Sequence, residues 1–240
     1  MTAEGSFESV SAGTTAWTTG RIVAKDFPSP NMVRLRMLVE DRHRHWPGQH
    51  YLIRLRDPDD YTAQRSYSIA SDDTDPLVEF LVERLPNGEI SEFLADVAEV
   101  GDVLEMRGPI GRWFRWDTYT PALCLVGGTG VVPAVAMTRA ARRLGREDLL
   151  RVVAVGRSPE ELPYADELAQ AGARIAFTRH PTSERPPGPP TREEVTPLLV
   201  GTAVAYVCGS SRFARFAEAL LIESGVSPAS IRVEQFGATG

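Results

Sequence analysis

The sequence predicts a chain in two parts, an antiparallel β-barrel followed by a doubly wound parallel α/β sheet. Two observations carry this. Apolar residues alternate with a period of two from about Trp17 to Gly111, and beyond Pro121 short apolar runs alternate with helical patterns through glycine-bearing turns. Size agrees: 240 residues are enough for two modest domains, each able to support a core without a disulfide or structural metal.

In the first part, Val33, Leu35, Met37 and Val39 alternate with Arg34, Arg36 and Leu38. Tyr51, Ile53 and Leu55 alternate with Leu52, Arg54 and Arg56, and Val78, Phe80 and Val82 with Glu79 and Glu83. Each run reads as a half-buried strand. Turn signals at 27–30, 46–48, 57–60 and 86–88 separate the strands at the spacing of an antiparallel barrel. One short helix interrupts them: SEFLADVA, with Ser91 as its cap and Phe93, Leu94 and Val97 on one face.

In the second part, ALCLV runs through GGTG into VVPAVAMTRAARRL, which Gly145 ends. RVVAV precedes a capped helix in SPEELPYADELAQA, ended by Gly172. ARIAF, AVAYV and IRVEQF complete the strands, and SSRFARFAEALLIES, ended by Gly225, precedes the last of them. Short apolar strands alternating with amphipathic helices imply a parallel sheet covered on both faces. Residues 180–192 carry five prolines and read as a loop or lid.

Composition narrows the function. With 42% hydrophobic and 24% charged residues and no apolar run of about 18, the chain contains no membrane span. Its first 16 residues lack the basic and apolar segments of a signal peptide and read as a disordered tail. The two cysteines, Cys124 and Cys208, form no CxxC, which excludes a four-cysteine zinc or iron–sulfur site and places the chain in a reducing, cytoplasmic compartment. A net charge of −6 argues against nucleic acid as a general partner, although 26 Lys and Arg leave room for a local basic patch. A monomer is the expected state.

Several motifs could carry chemistry. GGTGVVP, from Gly127 through Gly128, Thr129 and Gly130 to Pro133, lies where an apolar strand opens into a helix. Glycines let backbone amides approach an anion, and a helix N-terminus attracts it; a phosphate site follows, with a plain tight turn as the alternative because the third glycine of GxGxxG is missing. After the second strand of this half, Arg157 and Ser158 stand where a carboxylate would hold the ribose of NAD, and Arg179 ends the third strand. This suits a phosphate monoester, hence NADPH; solvated surface arginines are the alternative, and Glu160 and Glu161 lie close by. Cys208, in VCGSS, stands at a strand-to-helix switch whose positive field would partly activate it, yet no base is near in sequence. A place beside a cofactor, or a small buried residue, fits it better than a nucleophile. In RSYSIAS, Arg65 and Tyr67 share one strand face and Ser66 and Ser68 the other, suiting a ligand with a phosphate and a flat ring; judged alone, a structural tyrosine fits as well. His43, His45 and His50 lie on or beside strands and suggest no metal set.

In order along the chain, PGQHY, RSYSIAS, NGEIS (Asn87 to Ser91), GPIG, GGTGVVP, VCGS and VEQF resemble the ferredoxin–NADP⁺ reductase superfamily of flavoprotein reductases, from about residue 18 onward. The resemblance implies a flavin domain over 17–116 and an NAD(P) domain over 117–240. It implies that Arg65 holds the flavin phosphate, Tyr67 packs on the isoalloxazine and Ser68 bonds near its N5, while Gly88, Ile90 and Ser91 complete the phosphate site. Gly128, Thr129, Gly130 and Pro133 match the nicotinamide-nucleotide loop, Cys208 and Gly209 the residues beside the nicotinamide, and Glu234 and Phe236 the acidic and aromatic terminal pair. The four residues after Phe236 mean its ring must move or leave room for nicotinamide. Ser68, Cys208 and Glu234 would line the hydride contact. FAD is implied over FMN, with NADPH or NADH as donor. The CxxxxCxxC spacing of fused ferredoxin domains is missing, so an iron–sulfur centre would sit on a partner. The function implied is hydride transfer from NAD(P)H to flavin and onward electron delivery to a ferredoxin or oxygenase component. The alternatives are a diaphorase-like reductase of small acceptors or free flavin, and a non-enzymatic flavin or nucleotide sensor.

Overall fold

A computed structural model describes residues 16–57, 59–183 and 185–236. The expected N-terminal tail therefore lies, but for residue 16, outside the described residues, as do the four residues after Phe236.

The first part is a six-stranded antiparallel sheet built from β1 (Thr18–Ser29), β2 (Met32–Val39), β3 (His50–Arg56), β4 (Thr62–Ser68), β5 (Val78–Glu83) and β6 (Val103–Ile110), in the order β4-β3-β6-β1-β2-β5. A bridge between Ile69 and Phe80 brings the two edges together, curling the sheet into a barrel. The predicted alternation holds: Val33, Leu35 and Met37 are fully buried, the arginines between them half-buried, and Ile22, Tyr51, Ile53, Phe80 and Met106 fill the same interior. Tyr51 and Phe80 meet edge to face with centroids 5.9 Å apart.

The short helix departs from expectation. Helix α1 (Glu89–Glu92) begins at Gly88, so Ser91 lies inside it rather than capping it; its hydroxyl donates to the Gly88 carbonyl at 3.0 Å and accepts from the Leu85 amide at 3.2 Å. A π-helical turn over Phe93–Val97 follows. Its wider period buries Leu94 but turns Val97 outward, so the two do not share a face.

The second part is a five-stranded parallel sheet of β7 (Ala122–Gly127), β8 (Leu150–Gly156), β9 (Arg174–Phe177), β10 (Val204–Ser210) and β11 (Ile231–Phe236), in the order β11-β10-β7-β8-β9. Its strands are buried on both faces. Cys124 and Val126 of β7 face α2 (Val131–Leu144) and α3 (Ala165–Gln170), while Leu123 and Leu125 face α4 (Arg192–Val195) and α5 (Ser211–Glu223). Gly145 ends α2 in the left-handed region with φ 64°, and the Ser210 hydroxyl accepts the Phe213 amide at the start of α5. The helix predicted within 158–171 is broken. A 3₁₀ turn at Pro159–Glu161 is separated from α3 by Pro163 and by Tyr164 at φ 64°, because the residue before a proline is pushed out of the helical region. His43 and His45 lie between β2 and β3, not on a strand. From β7 the chain winds outward to β9, then returns to place β10 on the opposite side. The order reverses between β7 and β10, and in such sheets ligands bind beyond the carboxyl ends of the strands at that point.

Candidate active site cleft

A cleft of about 1330 Å³ opens at this reversal point and runs along the seam with the barrel. It exceeds the roughly 300–1,000 Å³ that encloses one drug-sized ligand, so two can lie in it together.

The barrel contributes the end of β4 and the turn before α1. Arg65 lines the cleft, exposed and without an acidic partner among the described residues; its Nη1 donates only to the Gln64 carbonyl, at 2.9 Å. Tyr67 lines it too, packed partly on the barrel core, and burial pushes its phenol well above the usual range. Ser68 is 6% exposed and its Oγ is buried with no hydrogen-bond partner. Such an atom costs about 1–3 kcal/mol until something bonds to it. Gly88, Ile90 and Ser91 lie along the same wall.

The parallel sheet contributes its strand ends. Gly128, at φ 58° with open space around it, and Thr129 line the cleft, and the Thr129 hydroxyl donates across the seam to Glu83 at 3.2 Å. Gly130 and Pro133 do not face the cleft: both are buried behind the loop, and a Cβ at Gly130 would overlap the Cys208 carbonyl. Glycine is thus required there for helix-to-strand packing. Arg157 and Arg179 line the cleft side by side, the Arg179 amide donating to the Arg157 carbonyl at 3.0 Å. Ser158 does not join them, because its hydroxyl turns to Glu160 at 2.6 Å, and Arg157 also pairs with Glu161 at 3.2 Å.

Cys208 is fully buried, and desolvation pushes its thiol well above its ordinary value, with Glu234 adding to the shift. The expected activation by the helix start is therefore overturned by burial, and the thiol lies behind the cleft wall rather than on it. Gly209 is likewise behind the wall, against the Phe213 ring. Glu234, opposite Cys208 in the β10–β11 ladder, does line the cleft; burial raises its carboxyl to about 7. Phe236 lines it beside Glu234 and packs on the sheet core. The sequence reading missed Arg212, Phe213 and Phe216, which border the cleft from the first turns of α5. Their signal was an arginine and two phenylalanines in the first turns after a strand-glycine switch.

These residues fit a flavin and a nicotinamide nucleotide. A partnerless buried hydroxyl and a guanidinium with no acidic partner among the described residues await polar groups at the barrel wall, and Arg179 stands at the strand ends of the parallel sheet beside Arg157, which already pairs with Glu161.

A barrel and a reversed parallel sheet sharing such a cleft occur together in solved structures of similar fold. Residues 19–115 match the family model described as the oxidoreductase FAD-binding domain. The chain is 30% identical over 201 residues to the toluate 1,2-dioxygenase electron transfer component of Pseudomonas putida, covering 80% of this chain and 59% of that protein. It is 36% identical over 188 residues to methane monooxygenase component C of Methylosinus trichosporium, covering 71% and 52%. The chain thus spans little more than half the length of these two relatives. Its fold matches the FAD/NAD-binding domain of a Vibrio cholerae nitric oxide dioxygenase with a TM-score of 0.79 at 21% identity, covering 92% of this chain and 99% of that one. A ferredoxin NADP⁺ reductase from Neisseria gonorrhoeae matches with a TM-score of 0.78 at 17% identity, over 92% and 99%. Among the described residues no helix is long and apolar enough to cross a membrane.

Proposed function

We propose that this chain takes hydride from NAD(P)H onto bound FAD and delivers the electrons to a separate redox protein, a ferredoxin or an oxygenase component. Bound FAD supplies the chemistry of accepting a hydride and releasing its electrons singly. The chain's own residues position and shield. Arg65 would hold a phosphate, Tyr67 would offer its ring face, and Ser68 would donate to the flavin ring. Glu234 and Phe236 would close the nicotinamide side, and Cys208, behind the wall, would shape it through packing rather than contact. The 19–115 barrel and the parallel sheet beyond it are the flavin and nucleotide domains in this reading.

The observation that carries it is the Ser68 hydroxyl, buried without a partner on the cleft wall at the end of the strand from which Arg65 also lines the cleft. The relatives named as electron transfer and monooxygenase components support onward delivery to a protein. Arg157 and Arg179, adjacent at the strand ends, favour NADPH over NADH. The same reading takes the protein as a cytoplasmic monomer.

Anaerobic titration of the purified protein tests this. A yellow protein bleached by NADPH at lower concentration than by NADH is expected, and Arg179→Ala should raise KM for NADPH about tenfold while leaving NADH nearly unchanged. A colourless protein, or a yellow one that neither nucleotide bleaches, overturns the reading.

A further inference from the structure

His50, the first residue of β3, is the one histidine that lines the cleft among the described residues. It is half-buried. Its ring makes no hydrogen bond or ion pair among those residues, whereas the buried His45 ring bonds to the Ser71 carbonyl at 3.1 Å and lies 3.8 Å from Asp73. Directly opposite His50 in the β3–β4 ladder stands Ser68. Residues paired in this way put their side chains on one face of the sheet, with Cβ atoms about 4.5–5.5 Å apart. The partnerless Ser68 hydroxyl and the partnerless imidazole are therefore neighbours on the cleft wall.

The ring has a built seat. Gly111 lies against it at φ 108°, a conformation that favours glycine, and a Cβ there would stand 3.3 Å from the His50 Nδ1. Gln49 fixes that glycine, donating to its carbonyl at 2.9 Å and accepting the Trp46 amide at 2.8 Å. The elements packed on His50 are nearly free of charge: β4 brings Ser66 and Ser68 to its face, β6 brings Ile110 opposite it, and Arg107, opposite Leu52, lies over the Trp17 ring at 5.3 Å. Arg65, Tyr67, Glu83 and Glu234 are on the cleft wall as well. None of these groups shifts His50; burial alone lowers its pKa below the ordinary histidine value. Near neutral pH the ring is therefore uncharged and has one nitrogen free to take a proton.

We propose that His50 is the proton outlet of the cleft, working through Ser68; the proposal rests on the reductase reading. A hydride from NAD(P)H brings two electrons and one proton. Two one-electron acceptors then remove the electrons and leave the proton behind. It passes to the Ser68 oxygen while the Ser68 hydroxyl proton passes to the His50 nitrogen, and the half-exposed ring returns it to solvent. A hydroxyl can accept one hydrogen bond while donating another, so it relays a proton only when a second group stands on its far side. His50 is that group. Because it acts through Ser68, it positions the relay rather than touching the reacting atoms.

The test uses the flavin-loaded protein and ferricyanide, a one-electron acceptor that takes no proton. In stopped flow, His50→Gln should slow reoxidation by about tenfold or more relative to bleaching by NAD(P)H. Wild-type reoxidation should fall as pH drops through the His50 midpoint, because a protonated ring accepts nothing, and His50→Gln should lose that inflection. Glu234→Gln removes the other cleft group that titrates near neutrality and should keep the inflection. Imidazole added to His50→Ala should restore the lost rate. Independently of turnover, Ser68→Ala should shift the His50 ring signals in NMR spectra of the flavin-loaded protein and leave those of His180 in place. A His50→Gln protein with the wild-type profile overturns the proposal, as does an inflection that Glu234→Gln abolishes or a His50→Ala protein that imidazole leaves slow. His50 signals indifferent to Ser68→Ala do the same, and that measurement needs no change at His50, so it decides the matter even where the His50 variants do not fold. A wild type that is colourless, or that NAD(P)H does not bleach, overturns the reductase reading instead.

Discussion

Arg139 of α2 reaches across the seam to Glu79 of β5, Nη1 to Oε1 at 2.9 Å, and the same guanidinium holds Glu167 of α3 at 2.7 Å. The Tyr164 hydroxyl donates to the same Glu79 oxygen at 2.9 Å, and Arg139 also donates to the Ala70 carbonyl. A carboxylate only 6% exposed is thus held by groups from the other half of the molecule, on the helix whose first turn abuts the nucleotide loop. One cluster sets how the two cofactor walls face each other.

Arg139→Met should leave Glu79 with only Arg36, at 3.6 Å, and the Tyr164 hydroxyl, and the loss is about 3 kcal/mol of stability, since a buried ion is then poorly compensated. Urea melts should show a lower midpoint with an unchanged slope. A variant as stable as wild type would show that water already solvates this cluster.

Ser68→Ala should act with opposite signs in the two forms of the protein. Without flavin, it removes a buried hydroxyl that has no partner, and stability should rise by about 1 kcal/mol. With flavin bound, reduction by NAD(P)H should slow by about tenfold because the expected donor is gone. Paired thermal melts and stopped-flow bleaching separate the two effects; an unchanged reduction rate removes Ser68 from the contact.

Glu234 carries a pH signature. Burial raises its carboxyl to about 7, above the ordinary glutamate value that the unfolded chain retains. Below that ordinary value both states are protonated and nothing is lost. As pH rises toward about 7 the unfolded chain ionises first, so stability falls across this window and stays low above it, by roughly 3 kcal/mol. Glu234→Gln should match wild type near the acid end and exceed it at mildly alkaline pH, checked by denaturant titrations at both. A variant weaker than wild type at alkaline pH contradicts the burial argument.

Gly130→Ala should be poorly tolerated. Its Cβ meets the Cys208 carbonyl, a backbone atom that can yield only by moving β10 or the start of α2. Overpacking of this kind costs about 1–3 kcal/mol. The displaced loop should also bind NADPH more weakly, read by titration of the folded variant.

Strand alternation made the barrel legible in advance, because one face of each strand must meet a core, and the glycine-bearing strand ends pointed to the reversal where the cleft lies. Glu79 was not legible. An acid at an outward strand position reads as solvated, and nothing local says that a helix 60 residues away will cover it. The same limit applies to Cys208: the positive field of a helix start can be inferred from sequence, whereas full burial depends on how β7 and β11 flank its strand. Ser158 misled for a shorter-range reason, since Glu160, two residues on, competes for its hydroxyl. Arg212 escaped notice because amphipathic helix patterns place arginines on exposed faces by default.

Met32, Ala70 and Leu81 of the barrel pack in one apolar cluster with Phe114, from the segment between the two sheets, and with Val131, Val132 and Val135 of the other half. A gene cut between the two halves would therefore yield two fragments, each with a raw greasy flank. Expressed singly they should aggregate, whereas co-expressed they should reassemble, which makes this junction a natural place to build a split reporter.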